Sequence, residues 1–214
     1  MKAAGRRLII FDLDGTLIDS CEDLATAVNL MRGHYHLPPL PSAVIRGYIG
    51  NGVRMLVTRA LQGTGIDIDE ALRVQAPFYS AHVAVKTVLY PGVEEGLAQL
   101  AERGHMMAVA TNKSIEPCEA VLAHFGIRDR FFRVLAGGNF PVLKPAPDMV
   151  FDIMSAAGLT AADTWMVGDN YTDLESARRA GVSSVFLSYG YGDPGAEAPT
   201  VRCDTFNEVV RLFA

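Results

Sequence analysis

The stretch Leu8-Ile9-Ile10-Phe11-Asp12-Leu13-Asp14-Gly15-Thr16 constrains this chain more than any other. The apolar, β-branched run from Leu8 to Phe11 reads as a buried strand. It ends abruptly in two carboxylates. Side chains alternate along a strand, so Asp12 and Asp14 share one face if the strand continues, and Gly15 permits a turn there. Two acids at the carboxyl end of a central strand repel each other and lose solvation. A hard divalent cation with oxygen ligands relieves both penalties. The expectation is metal-assisted chemistry in which one Asp attacks and the other moves a proton. The alternative at this point is a strand that ends in a solvated acidic turn.

Further along, the texture changes twice. Leu17 to Asp19 reads as a short turn, with Ser20 capping a helix that carries Leu24, Ala27, Val28 and Met31 at helical spacing. That helix breaks near Gly33 and the Pro38-Pro39-Leu40-Pro41 cluster. A short helix from Ser42, a third through Val53 to Ala60 and a fourth capped by Asp69 and running toward Val83 or Val85 follow. From Ser20 to Lys86 only helices are expected. After Tyr90-Pro91-Gly92 the pattern alternates: helix Val93–Arg103, strand Met106–Ala110 into Thr111-Asn112, helix from Ser114 to Gly126, strand Phe132–Ala136 into Gly137-Gly138. Pro145 and Pro147 precede a helix ending at Gly158; strand Trp165–Val167 runs into Gly168-Asp169. A helix opened by Thr172, a strand Ser184–Leu187 and a last helix Phe206–Leu212 complete the chain. Strands alternating with helices imply a doubly wound parallel sheet, and the helical block is an insertion in it. The expected organisation is an α/β core of residues 1–16 and 89–214 with an all-α cap of residues 17–88. Sites in such sheets lie beyond the carboxyl ends of the strands, where Asp12, Thr111-Asn112, Gly137-Gly138 and Gly168-Asp169 would gather under the cap.

Composition narrows the partners. The chain has 214 residues and a net charge of -5, against a surface for nucleic acid or an anionic membrane. No run of about 18 apolar residues exists, so no membrane span is expected. The basic start, Met1 to Arg7, is too short for a signal peptide. Cys21, Cys118 and Cys203 are an odd, scattered set that suits a reducing compartment, and a cytoplasmic location is expected.

Asp12-x-Asp14-Gly15-Thr16, Thr111-Asn112, Lys144-Pro145 and Gly168-Asp169-x-x-x-Asp173 together resemble the four-motif pattern of the haloacid dehalogenase-like phosphatases. The motifs come in the family's order and cover the whole core, and the helical insertion resembles the family's helical-cap subclass. Ile49-Gly50-Asn51-Gly52, Tyr90-Pro91-Gly92-Val93 and Ser188-Tyr189-Gly190-Tyr191-Gly192 are similar to the phosphoglycolate phosphatases within it. The resemblance implies a Mg²⁺-dependent phosphomonoesterase acting on a small phosphorylated metabolite, 2-phosphoglycolate first; a monomer or homodimer is expected. It implies that Asp12 is the nucleophile, forming an aspartyl-phosphate, and that Asp14 is general acid and then general base. Asp12, Asp14 through its carbonyl, and Asp169 are the implied metal ligands, with Asp173 and Thr16 supporting them. Thr111, Asn112 and Lys144 are implied to bind the phosphoryl oxygens, Lys144 also holding Asp12 as a carboxylate.

Other features are open. Gly50-Asn51-Gly52-Val53-Arg54 offers backbone N–H groups and Arg54 to an anionic substrate end; the alternative is a helix-breaking turn with a surface Arg. His34-Tyr35-His36 reads as a solvated loop, and Arg6-Arg7 and Arg178-Arg179 as solvated faces. Asn139 to Leu143 departs from the polar, acid-containing segment usual before the lysine, which leaves the support of Lys144 open. A phosphomutase like the β-phosphoglucomutases, a pyrophosphatase or a sugar-phosphate phosphatase would use the same core residues. A non-catalytic phospho-binding module is the reading from a different class.

Overall fold

The computed structural model describes residues 5–214; Met1 to Ala4, the first part of the basic start, lie outside the described residues. Strand β1 (Leu8–Phe11) is the axis of the molecule, and all four of its side chains are fully buried. It lies between β4 (Met106–Ser114) and β6 (Thr164–Gly168) in a six-stranded parallel sheet. The order is completed by β5 (Arg133–Gly137) beyond β4, and by β7 (Ser183–Leu187) and β8 (Val201–Cys203) beyond β6. Strand β8 is one the sequence pattern does not reveal: Val201-Arg202-Cys203 is too short to show an alternation.

The period of two divides β1 between two cores. Ile9 and Phe11 pack with α5 (Val93–Glu102), α6 (Ile115–His124) and α9 (Phe206–Leu212). Leu8 and Ile10 face α7 (Asp148–Ala157) and α8 (Tyr171–Ala180) on the other side of the sheet. Each large side chain buried here contributes about 1.5–3 kcal/mol, which fixes the strand's register and hence where its acidic end stands. Phe11 pairs with Val109 on one side and Val167 on the other, and the Asp12 N–H donates to the Val167 carbonyl at 2.9 Å. Strands β1 and β6 therefore end almost level, whereas β4, expected to stop at Ala110, runs on through Thr111-Asn112 to Ser114 after an irregularity in its register with β5.

The helical insertion comprises α1 (Cys21–His34), α2 (Ser42–Arg46), α3 (Val53–Ala60) and α4 (Ile68–Ser80), packed around their own apolar cluster of Leu24, Val28, Met31, Ile45, Leu56 and Val57. Where the sequence reads a turn, Ile18–Asp19 is a strand, β2, which pairs antiparallel with β3 (Val88–Leu89). These two residues per strand carry no period to detect, and they form a ribbon at both crossings between sheet and cap. Buried Asp23 tightens the crossing by accepting from the backbone N–H groups of Lys86 and Thr87 and from the Thr87 hydroxyl.

Three caps differ from expectation. Asp67, not Asp69, caps α4 by accepting from Glu70 N, and the helix stops at Ser80, short of Val83. Asn170, not Thr172, caps α8, with Asp173 closing a capping box. Ser20 stands at the N-cap of α1, but its hydroxyl accepts from no helix N–H and donates to Asp14 Oδ1 at 2.5 Å. The three cysteines are free and buried, His34 and His36 are exposed, and among the described residues no helix is long and apolar enough to cross a membrane.

Candidate active site

The carboxyl ends of β1, β4 and β6, with the loop before α7, bring Asp12, Asp14, Thr111, Asn112, Lys144, Asp169 and Asp173 to one crevice under the cap. Asp12, at 5% exposure, lies 2.9 Å from the Lys144 ammonium as an ion pair, yet its Oδ1 has no aligned hydrogen-bond donor. Lys144 donates to Asp173 Oδ1 at 2.6 Å, so Asp173 supplies the support that the Asn139–Leu143 segment does not suggest. Asn112 clasps this lysine from behind: its Oδ1 accepts from Lys144 N at 2.8 Å and its Nδ2 donates to Lys144 O at 2.9 Å.

Asp169 is held by three donors. Thr16 Oγ1 donates to Oδ1 at 3.0 Å, while Tyr191 N and Gly192 N donate to Oδ2 at 2.8 and 3.0 Å. The glycines around it are required by space. A Cβ on Gly190 would stand 2.3 Å from the Asp169 side chain, and one on Gly15, whose φ is +85°, would meet the same carboxylate. This accounts for the Ser188–Gly192 stretch in physical terms.

Oxygens of Asp12, Asp169 and Asp173 come within 4.8 Å of one another, and all three residues are buried. With all three ionised, the carboxylates against the single ammonium of Lys144 leave two negative charges uncompensated. Burial, then the charge of Asp12, pushes the Asp169 carboxyl up to about 7. Asp173 is likewise raised, chiefly by burial and against the pull of Lys144. For Lys144 burial acts downward, but Asp12 and then Asp173 carry it above its ordinary value. The donor set, all hard oxygens with a deficit of two charges and one unaligned carboxylate oxygen, fits a divalent cation.

Asp14 points elsewhere. Its carboxylate stands outside this cluster and accepts from Lys113 Nζ at 2.9 and 3.1 Å and from the Ser20 hydroxyl. Lys113 is a site residue the sequence reading misses, although its place directly after Thr111-Asn112 at a strand end is the signal for it. Its ammonium also hydrogen-bonds the Tyr79 hydroxyl, from cap helix α4. Burial lowers the Lys113 pKa, yet Asp14 and then Tyr79 more than reverse this, so it is raised.

The cap is seated on the crevice by further contacts: Asn112 Nδ2 donates to Gly50 O at 3.0 Å, and Arg46 donates to Gly190 O while lying over the Tyr191 ring. Between cap and core lies a cavity of about 620 Å³, with Asp12, Asp14, Thr111, Asn112, Lys113, Gly50 and Gly52 in its wall. Thr111 Oγ1 accepts from Lys113 N at 3.2 Å, leaving its own hydrogen available. Arg54 is not brought in. Its side chain is 61% exposed and pairs with Asp69, the surface alternative of the two readings of that stretch. Arg178 and Arg179 pair with Glu197 and Glu175 on an exposed face, whereas Arg7 is tied down by Ala162 O and Asp163.

A parallel sheet with a helical cap, and strand-end acids gathered around buried lysines beneath it, define a hydrolase-type site built for an anionic substrate. The chain belongs to the haloacid dehalogenase-like hydrolase family, whose model matches residues 9–187. A phosphoglycolate phosphatase of Psychrobacter arcticus is 38% identical over 217 residues, covering 96% of this chain and 94% of its own. One of Chromobacterium violaceum is 34% identical and covers 97% and 95%. A crystal structure of a predicted phosphoglycolate phosphatase from Haemophilus somnus superposes with a TM-score of 0.91 at 30% identity over 98% of both chains.

Proposed function

We propose that this protein is a Mg²⁺-dependent phosphomonoesterase that hydrolyses 2-phosphoglycolate through an aspartyl-phosphate on Asp12. The observation that carries the reading is the division of labour between two acids two residues apart. Asp12 is ion-paired to Lys144 inside the acidic cluster, while Asp14 faces the cavity on its own lysine. The names of the relatives support phosphoglycolate as the first substrate to try. The three buried, free cysteines suit a reducing compartment such as the cytoplasm.

A carboxylate attacks phosphorus at neutral pH without a base, and the resulting acyl phosphate hydrolyses readily. Asp12 forms the new O–P bond as the bond to the substrate oxygen breaks. Asp14 must take up a proton before or on substrate binding, and it gives that proton to the leaving oxygen. In the second half Asp14 takes a proton from the water that attacks the phosphorus, and Asp12 is released as a carboxylate. The Thr111 hydroxyl and the Asn112 N–H bind one phosphoryl oxygen and Lys144 another, so charge spread over the transferring group meets fixed donors. Asp12, Asp169 and the carbonyl of Asp14 would hold Mg²⁺, which supplies neutralising charge to the phosphoryl oxygens. Thr16 and Asp173 fix Asp169 and Lys144 in place. Residues 17–88 act as a lid that excludes water, with Gly52 in the cavity wall; Arg54 has no part in it.

Phosphate release from 2-phosphoglycolate with Mg²⁺, measured beside a panel of sugar phosphates and pyrophosphate, tests this. Release that is fastest from 2-phosphoglycolate and stopped by EDTA is expected. Release from another ester alone keeps the chemistry and overturns the substrate; no metal-dependent release overturns both.

A further inference from the structure

The cavity wall contains a polar group that the chemistry above does not use. Gln75, on α4, is 2% exposed, lines the cavity, and its side-chain Nε2 has no hydrogen-bond partner. A buried donor left unpaired costs about 1–3 kcal/mol, so a ligand group that accepts from it gains by a comparable amount. Tyr79 follows Gln75 by one helical turn and therefore lies on the same face of α4. Its hydroxyl meets Lys113 Nζ. Lys113 is the one Lys or Arg in the cavity wall among the described residues.

As seen from Nζ, the two oxygens of Asp14 lie in nearly one direction, at 2.9 and 3.1 Å, and share one N–H; Tyr79 takes a second. An ammonium has three. Around these donors the cap contributes Leu24, Leu56, Leu72 and Val83 to the wall. A neutral hydroxyl could accept from the same two donors, but hydrogen bonds to a carboxylate are about twice as strong, so the pair favours an anionic end over a neutral one.

We propose that Gln75 Nε2 and Lys113 Nζ form a subsite for the carboxylate at the far end of the substrate, which makes the enzyme selective for short phosphorylated carboxylic acids over neutral esters. The proposal rests on the phosphatase reading for its substrate, but not for its test. Gln75 selects and Lys113 serves two anions, Asp14 and the substrate end. A group buried on the cap thus reads the substrate while the core performs the chemistry.

The test compares 2-phosphoglycolate with 2-hydroxyethyl phosphate, an ester of the same length with a neutral end. Calorimetric affinities are measured with Mg²⁺ in the Asp12→Asn chain, which holds the ester without depending on turnover, with and without Gln75→Leu. The parent is expected to prefer 2-phosphoglycolate by at least about tenfold, as one hydrogen bond to a charged group gives, and Gln75→Leu to lose most of that preference. Gln75→Glu, of the same size, should reverse it by placing a carboxylate opposite the substrate's own. Equal affinities in the parent, or a preference unchanged in both Gln75 variants, would overturn the subsite. Absence of turnover in the wild type alone would instead remove the phosphatase reading and leave the binding result to decide the subsite.

Discussion

Lys144 and Lys113 are both buried in the crevice, but they keep different company. Lys144 stands among three carboxylates, Asp12, Asp169 and Asp173, and cannot balance them. Lys113 stands against one, Asp14, and reaches across to Tyr79 on the cap. The first cluster is short of positive charge by two and sits wholly on the core. The second is neutral and joins core to cap. In the proposed mechanism the charge deficit is where an ion and a phosphoryl group would be held, and the balanced pair is where the proton carrier and the substrate end would be handled.

Breaking the deficient cluster should have the largest effect. Lys144→Met leaves three buried carboxylates with no cation, and urea unfolding of the metal-free variant should show a loss of about 3–5 kcal/mol. A loss below about 1 kcal/mol would mean that the cluster is hydrated and not the desolvated group described here.

Next comes filling the deficit. At a Mg²⁺ concentration near 100 times its dissociation constant, the wild type should gain about 2.7 kcal/mol, seen as a rise in melting temperature. The metal-free protein should also respond to pH in a defined direction. Asp169 goes from an ordinary 3.8 to about 7 on folding, so the folded state holds its proton more tightly. That contribution is complete below 3.8 and is lost as pH rises through about 7. Melting temperature should therefore fall across that window without metal, and Mg²⁺ should flatten the slope; a rise with pH would reverse the assignment.

Lys113→Met breaks the balanced pair. Asp14 keeps the Ser20 hydroxyl and is partly open to the cavity, so a smaller loss of about 1–3 kcal/mol is expected. Turnover should fall with it, since Asp14 is no longer aimed. A variant as unstable as Lys144→Met would erase the contrast. Least of all should Arg54→Ala matter. Its pair with Asp69 is exposed, and both stability and kcat/KM should stay within about 0.5 kcal/mol of wild type.

The same contrast explains what was legible beforehand. Asp12, Asp14, Thr111, Asn112, Lys144 and Asp169 sit at strand ends or next to a proline, where buried periodicity stops abruptly and the site position follows from topology. The sheet and its inserted helices were readable for the same reason. The neutral cluster was not. Lys113 is one more polar residue at the end of β4, and Gln75 and Tyr79 enter the proposed site only because α4 turns that face toward the core. Gly50-Asn51-Gly52-Val53-Arg54 shows the limit from the other side: the glycines reach the cavity, but helix α3 turns Arg54 to Asp69. The short strands β2, β3 and β8 owe their pairing to neighbours far along the chain, so local pattern could not reveal them.

The central claim is that Asp12 itself accepts the phosphoryl group, and Asp12→Asn tests it most directly. The substitution keeps the shape of the side chain while removing the nucleophile, and a melting curve checks that the fold persists. With Mg²⁺ and 2-phosphoglycolate, phosphate release should fall by at least about 10⁴ while the protein remains folded. A folded variant that turns over within about tenfold of wild type would show that the attacking group is not Asp12.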